Sequence, residues 1–390
     1  MKFGKPIRAE WLLDDDVIFL NHGSFGACPR TVLHTQRAWQ ERMEAEPVRF
    51  MTRELPPQLD AARATLAAFV GAQAEDLVFV HNATDGANAV LRSLLPTFNP
   101  GDELLTASHA YRAVRQTLIY VAGLCGARVV DADVPFPIAD PEQVTDAIRH
   151  AITPKTAFAV IDHITSPTGV VFPIEKIIAL FKERGIPVLI DGAHAPGQID
   201  LNLDTLGADY YVGNCHKWLF APKGAAFLWV DKKHQSKIHP TVISHFLGGG
   251  FQTEFSWTGT LDPTAWLSIP AGMEFHRKFF AEEGRDYTRK ILLDARREIS
   301  DALGVPLAAP EAMLANLCTF LLPGNPDATD ERVLHLHDLL FDEYRIEVPA
   351  MNANGKLYVR ISSQVYNDPS DFEALKAALV ELAAQPQSFL

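Results

Sequence analysis

The chain has 390 residues, of which 47% are hydrophobic and 21% charged. That is ordinary globular composition, but long for one compact core, so two lobes are expected. The 35 basic and 48 acidic residues give a formal net charge of −13, which argues against a nucleic-acid or anionic-membrane partner.

The start of the chain, MKFGKPIRAEWLLDDD, is charged and lacks the apolar region of a signal peptide. No uninterrupted apolar run approaches the length of a membrane span. The four cysteines, Cys28, Cys125, Cys215 and Cys318, lie far apart without a C-x-x-C pair. A disulfide framework or structural zinc site is therefore not expected, and a reducing compartment is. These features together predict a soluble cytoplasmic protein with no metal site.

From about residue 76 to 230 short apolar runs alternate with amphipathic ones. LVFV (77–80), ELLTA (103–107), ARVVDA (127–132), TAFAVID (156–162), IPVLID (186–191), ADYYVGN (208–214) and AAFLWV (225–230) read as buried strands. Helical patterns such as GANAVLRSLL and FPIEKIIALFKERG lie between most of them. The alternation predicts a largely parallel sheet covered on both faces, with the ligand beyond the carboxyl ends of the strands.

After residue 264 the pattern changes. Helical stretches at 264–282 and 284–303 precede ANLCTFLL, a helix around 329–343, the strand-like KLYVRIS, and a closing helix near 370–384. The expected organisation is a large domain over 16–265 and a smaller α+β domain over 266–390, joined by residues 1–15. No linker, low-complexity tract or internal repeat divides the chain.

Three strand ends carry residues suited to chemistry. In VFVHNATDGAN (78–88) a strand runs into turn residues and a helix, so Ala83 and Thr84 would offer backbone N–H groups to a phosphate. An ordinary Asn/Thr cap explains the same residues. In PVLIDGAHAPGQ (187–198) Asp191 closes a strand apolar enough to be buried, and a buried carboxylate needs a cationic partner or a capping role. In YYVGNCHKWLFAPKGAAFLWV (210–230) Lys217 follows another strand, flanked by Asn214 and His216. Desolvation and a neighbouring cation favour the neutral amine that forms imines. Lys223, before Gly224, reads as a turn lysine. The ordered set is the strongest signal: phosphate turn, strand-end Asp, then Lys217.

With FLNHGSFGACPR, HITSPTGVVFPI, WTGTLDP and VRISSQVYN added in order, the chain resembles the class V aminotransferase-like family of fold-type-I pyridoxal-phosphate (PLP) enzymes, in its isopenicillin N epimerase-like branch. The resemblance implies a PLP-dependent transferase fold, with a mostly parallel sheet in the large domain. It makes Lys217 the Schiff-base lysine and Asp191 the partner of the pyridine nitrogen. His194 would contact the phenolic oxygen, and Ala83, Thr84, Asn214 and His216 the phosphate. His109 would stack on the pyridine ring. Ser166 stands where many relatives have Asn. Thr260 would reach the partner subunit's phosphate, implying a homodimer with shared sites. Arg360 would grip the substrate carboxylate with its planar fork, with Asn21 and His22 nearby.

Other residues read as structural. His335 and His337 sit two apart on a helix and face different ways. The GGG at 248–250 lacks the setting of a nucleotide loop, and Cys318 lies in an apolar run. Tyr111 can pack or act as an acid/base. An amino-acid substrate is expected, reacting at Cα by epimerisation, with C–S β-elimination and transamination as alternatives and a non-catalytic PLP-binding protein as the rival. No cysteine occurs from Tyr344 to Arg360, where a desulfurase would present its nucleophile, so a persulfide-forming desulfurase is not expected.

Overall fold

A computed structural model describes residues 2–281 and 283–384. The outer ends of the expected small domain, Met1 and residues 385–390, lie outside the described residues, as does Glu282 within the expected 264–282 helix.

The large lobe is built on seven strands: β2 (Leu77–Val80), β3 (Glu103–Ala107), β4 (Arg128–Ala132), β5 (Thr156–Asp162), β6 (Val188–Asp191), β7 (Tyr210–Asn214) and β8 (Ala226–Val230), which follow a two-residue β1 (Ile18–Phe19). They run in the order β2-β8-β7-β6-β5-β3-β4. All neighbours are parallel except β8, which is antiparallel to both β2 and β7. Alternate residues divide between two cores. Leu77, Phe79, Leu105, Ile161, Ile190 and Trp229 pack on one face; Val78, Val80, Leu104, Val160, Leu189 and Leu228 pack on the other. Burial on both faces is why these strands read as continuous apolar runs.

Helices α1 (Arg30–Ala45) and α2 (Leu55–Val70) precede the sheet, and α3 (Ala83–Leu94), α4 (Arg112–Cys125), α5 (Pro141–Ala151) and α6 (Ile174–Lys182) connect its strands. Asn82 caps α3 by accepting from the Asp85 amide. Gly86 lets that helix lie against β7, since a Cβ there would sit 2.7 Å from Val212 Cγ1. An Asp140–Gln143 capping box with Pro141 opens α5.

The predicted 264–282 helix is broken at Ser268 into Thr264–Leu267 and α7 (Ile269–Phe279), because Pro270 has no amide to carry the ladder through. Next come α8 (Glu283–Leu303), β9 (Leu317–Leu321), α9 (Asp330–Tyr344), β10 (Ile346–Glu347), β11 (Ala350–Ala353), β12 (Lys356–Ser362) and α10 (Pro369–Ala383). The strands β11-β12-β9 form an antiparallel sheet. The N-terminal segment is tied to this lobe: β1 pairs with β10, and Leu20 O accepts from the Ser362 amide. Among the described residues no helix is long and apolar enough to cross a membrane.

Candidate active site

A cavity of about 470 Å³ opens beyond the carboxyl ends of β5, β6 and β7. Two larger clefts, of about 700 and 650 Å³, share Asp200 and Leu201 and contain none of the site residues expected from sequence. The smaller cavity is therefore the chemically relevant one. Its wall includes Ala83, Thr84, Tyr111, Ser166, Asp191, His194, Asn214, His216 and Lys217.

Lys217 follows β7, and its Nζ lies 3.1 Å from His194 Nε2. Trp218 Nε1–H donates to His194 Nδ1 at 3.4 Å, so Nδ1 must accept and the ring proton sits on Nε2, aimed at the lysine. Burial and the Lys217 charge hold His194 neutral, its pKa well below the usual histidine range. Burial, then the Arg360 charge, bring Lys217 down to about 7, against the opposing pull of Asp191 and Asp162. The arrangement presents an amine that is about half uncharged at neutral pH, where an ordinary lysine is almost fully charged.

Asp191 ends β6 and is 2% exposed. Its Oδ1 accepts from the Ala193 amide at 3.0 Å, while Oδ2 is buried without a partner. An orphaned carboxylate oxygen aimed into a cavity is what a protonated ring nitrogen would satisfy. Asp162 stands beside it in register at the end of β5, and sequence reasoning missed it. The signal was present: TAFAVID and IPVLID both end in Asp, and adjacent parallel strands bring such ends together.

The turn before α3 is held from two sides. Asn82 Oδ1 accepts from the Asp85 amide and Asn214 Oδ1 from the Ala83 amide, each at 2.9 Å. His216 Nδ1 donates to Ala225 O at 2.9 Å, and burial brings its pKa to about 4. A helix N-terminus with Thr84 and His216 on the same wall suits a phosphate. With the unpartnered Asp191 Oδ2 and the buried Lys217 amine, whose pKa is lowered to about 7, the residues present fit PLP.

Arg360 rises from β12 and is 2% exposed. Nη1 donates to Ser166 O and, at 3.3 Å, to Ser166 Oγ; Nη2 donates to Ser24 Oγ at 3.1 Å. Nε has no partner, and no carboxylate among the described residues pairs with the guanidinium. Burial lowers its pKa to about 10. Ser24, also missed from sequence, lines the cavity and donates to Asn21 Oδ1 at 2.5 Å.

Five expected residues are not on the wall: Arg360, His109, His22, Asn21 and Thr260. His109 is buried, its Nε2 bonded to Val134 O at 3.1 Å and its Nδ1 to Thr168 Oγ1 at 3.0 Å, with its ring edge-on to Phe136. The flat ring on the cavity wall in that connection belongs to Tyr111. His22 Nε2 donates to Lys217 O at 3.0 Å, and Nδ1 accepts from Tyr366 Oη at 2.9 Å, so this ring holds the lysine backbone from behind. Asn21 acts only through Ser24, its Nδ2 being bonded to Glu347 Oε1 at 2.7 Å. Thr260 is exposed outside the cavity. Lys223, the rival lysine, is on the wall but donates to Gly26 O at 2.7 Å.

The chain is 33% identical to a putative L-cysteine desulfhydrase 1 of Oryza sativa subsp. japonica, over 97% of this chain and 86% of that one. It is 32% identical to the isopenicillin N epimerase of Amycolatopsis lactamdurans, over 96% and 98%. A cysteine desulfurase of Thermococcus onnurineus NA1 shares the fold, with a TM-score of 0.80 at 19% identity over 99% of both chains. Residues 19–375 match the family described as aminotransferase class V, and the chain belongs to that family of PLP enzymes.

Proposed function

We propose that the chain epimerises an amino acid at Cα, with Lys217 and Tyr111 handling the proton and Arg360 holding the substrate carboxylate. The observation that carries the reading is Lys217 Nζ, 3.1 Å from His194 Nε2, in one cavity with the unpartnered Asp191 Oδ2. Lys217 would hold PLP, Asp191 its ring nitrogen and the α3 turn its phosphate. When bound, the cofactor supplies an electron sink for charge developing at Cα. Arg360 orients the carboxylate, Lys217 Nζ takes the Cα proton, and Tyr111 Oη, which has no hydrogen-bond partner in the described fold, returns one from another direction. Tyr111 lies close enough to Arg360 to bear on its electrostatics, so the two stand on the same side of the site. The end-to-end match to an isopenicillin N epimerase supports this branch, although the β-lactam precursor is not carried over with it.

A second reading is C–S β-elimination, favoured by relatives named as L-cysteine desulfhydrases at similar identity. The same lysine would take the Cα proton and a sulfur group would leave from Cβ. L- and D-amino acids and S-substituted cysteines, followed in deuterated water, separate the two. Epimerisation gives deuterium at Cα with inverted product, whereas elimination gives pyruvate and thiol. Neither exchange nor turnover on any substrate would refute Cα chemistry.

Persulfide transfer has little support in Cys28, Cys215 and Cys318. The Tyr344–Arg360 segment runs from the end of α9 through β10 into the β11–β12 hairpin and has no thiol. Cys28 and Cys318 are buried with pKa values pushed up to about 12, and burial raises that of Cys215 further. A thiol held protonated is a poor nucleophile. Incubation with radiolabelled cysteine should leave all four cysteines unlabelled; a persulfide on one of them, lost with turnover on its substitution, would overturn this.

A further inference from the structure

The floor of the cavity holds one more carboxylate than the roles assigned so far require. Asp162 and Asp191 are the last residues of adjacent parallel strands, directly in register, and 4% and 2% exposed. In-register residues of a sheet project to the same face. Both continue the alternation that places Val160 and Leu189 in one core, so both carboxyl groups point to the α3 side. Both lie on the cavity wall. Two carboxylates on neighbouring strands, shielded from water, cannot both be ionised without a cation between them. The groups facing Asp162 are Asp191 from β6, the Tyr111 backbone amide from the β3–α4 connection, and Lys217 from beyond β7. Lys217 is the single cation among them, and burial and the Arg360 charge weaken its own hold on a proton. Burial and the Asp191 charge both push the Asp162 carboxyl up, while Asp191 Oδ1 accepts from the Ala193 amide, which favours its charged form.

We propose that Asp162 is a positioning residue of this site, the neutral acid of a two-carboxyl floor, which holds Tyr111 by its backbone amide and leaves Asp191 to carry the single charge. The inference rests on the PLP reading above and deepens it. Asp191 offers the cavity its free oxygen, while Asp162 fixes the segment that carries Tyr111 to the wall. One residue thus sets the distance between the group facing the cofactor ring and the group proposed to handle the proton. A second ionised carboxylate would over-stabilise a cation in the floor and draw the Lys217 proton back on.

The test compares Asp162→Asn, Asp162→Ala and Asp191→Asn. Infrared spectroscopy of the cofactor-free protein, with carboxyl-labelled aspartate, reads the protonated acid directly. Wild type should show a buried protonated carboxyl band near neutral pH, and Asp162→Asn should lose it. In the PLP-loaded protein the amide replaces the neutral acid, so Asp162→Asn should keep cofactor affinity within about threefold and the absorption spectrum unshifted. Asp162→Ala, which leaves the Tyr111 amide without its acceptor, should alter both. A wild-type spectrum without the band, or a band that survives Asp162→Asn, overturns the proposal. So does an Asp162→Asn protein that releases the cofactor as readily as Asp191→Asn does. If wild type takes up no PLP at all, the functional reading fails, and the infrared comparison still decides the state of Asp162.

Discussion

Replacing Asp191 by Asn should separate what the carboxylate does for the fold from what it does for the ligand. In the empty protein its Oδ2 is buried without a partner, and burial raises its pKa. A group whose folded pKa lies above its unfolded value stabilises the fold fully below the unfolded pKa, and that stabilisation is lost as pH rises through the folded pKa. At neutral pH the carboxylate is therefore a cost to the empty fold. The Asn variant, which keeps an acceptor for the Ala193 amide, should melt at the same temperature as wild type or higher. Its melting temperature should also lose the part of the acid-side pH dependence that wild type owes to this group. Against the cofactor the sign reverses, because a charge-assisted hydrogen bond to a protonated ring nitrogen becomes a neutral one. That loss is about 1.5–3 kcal/mol, a roughly 10- to 150-fold rise in Kd for PLP. Scanning calorimetry of the empty protein and fluorescence titration with PLP measure the two halves. Unchanged PLP affinity, or an empty variant that melts well below wild type, would refute the reasoning.

Lys217 should capture PLP with a rate that rises with pH through about 7 rather than near 10.5, since only the neutral amine is nucleophilic. Stopped-flow absorbance gives the profile, and borohydride reduction followed by mass spectrometry should find the adduct on Lys217; an adduct on Lys223 would overturn the assignment. Arg360→Lys should raise the KM for the preferred amino acid by roughly 10- to 150-fold while cofactor content stays near wild type, because an ammonium cannot supply two parallel bonds. An unchanged KM counts against the carboxylate role. Sedimentation should find a homodimer, and Thr260→Val should weaken PLP binding through the neighbouring subunit's site. A fully active monomer would contradict that.

The strands were legible because they are buried on both faces. Continuous runs such as LVFV and TAFAVID match β2 and β5 residue for residue, whereas IPVLID begins as a strand only at Val188, after the proline. That β8 runs antiparallel to its neighbours was not legible, since an apolar run carries no direction. In the site, the resemblance brought Lys217, Asp191 and His194 to one cavity because strand ends converge there. It did not separate His109 from Tyr111. Two residues apart in one connection, they differ by burial, and burial depends on Phe136 and Thr168, which no local pattern brings together. His22 was also put near the substrate carboxylate by the resemblance. Its contacts with Lys217 O and Tyr366 span the full length of the chain, and they make it a prop.

The same long-range logic sets the reactivity of Lys217. Nothing in the segment NCHKWLF makes an amine neutral, and Asn214 and His216 are spent on Ala83 and Ala225. The depression to about 7 comes first from burial and then from Arg360, which stands on β12 of the second lobe. Arg360 is itself anchored across the cavity, on Ser166 from the large lobe and on Ser24 from the N-terminal segment. His22, from that segment, bonds the Lys217 carbonyl. The lowered pKa of Lys217 is therefore produced by the docking of three separate parts of the chain. Each loses its effect if the lobes part: the amine rehydrates, the guanidinium charge recedes, and Lys217 drifts back toward an ordinary lysine. Binding a carboxylate at Arg360 acts in the same direction, because it neutralises the charge that depresses Lys217. Under the proposed function, substrate arrival would thus raise the basicity of the lysine at the moment it is to accept the Cα proton.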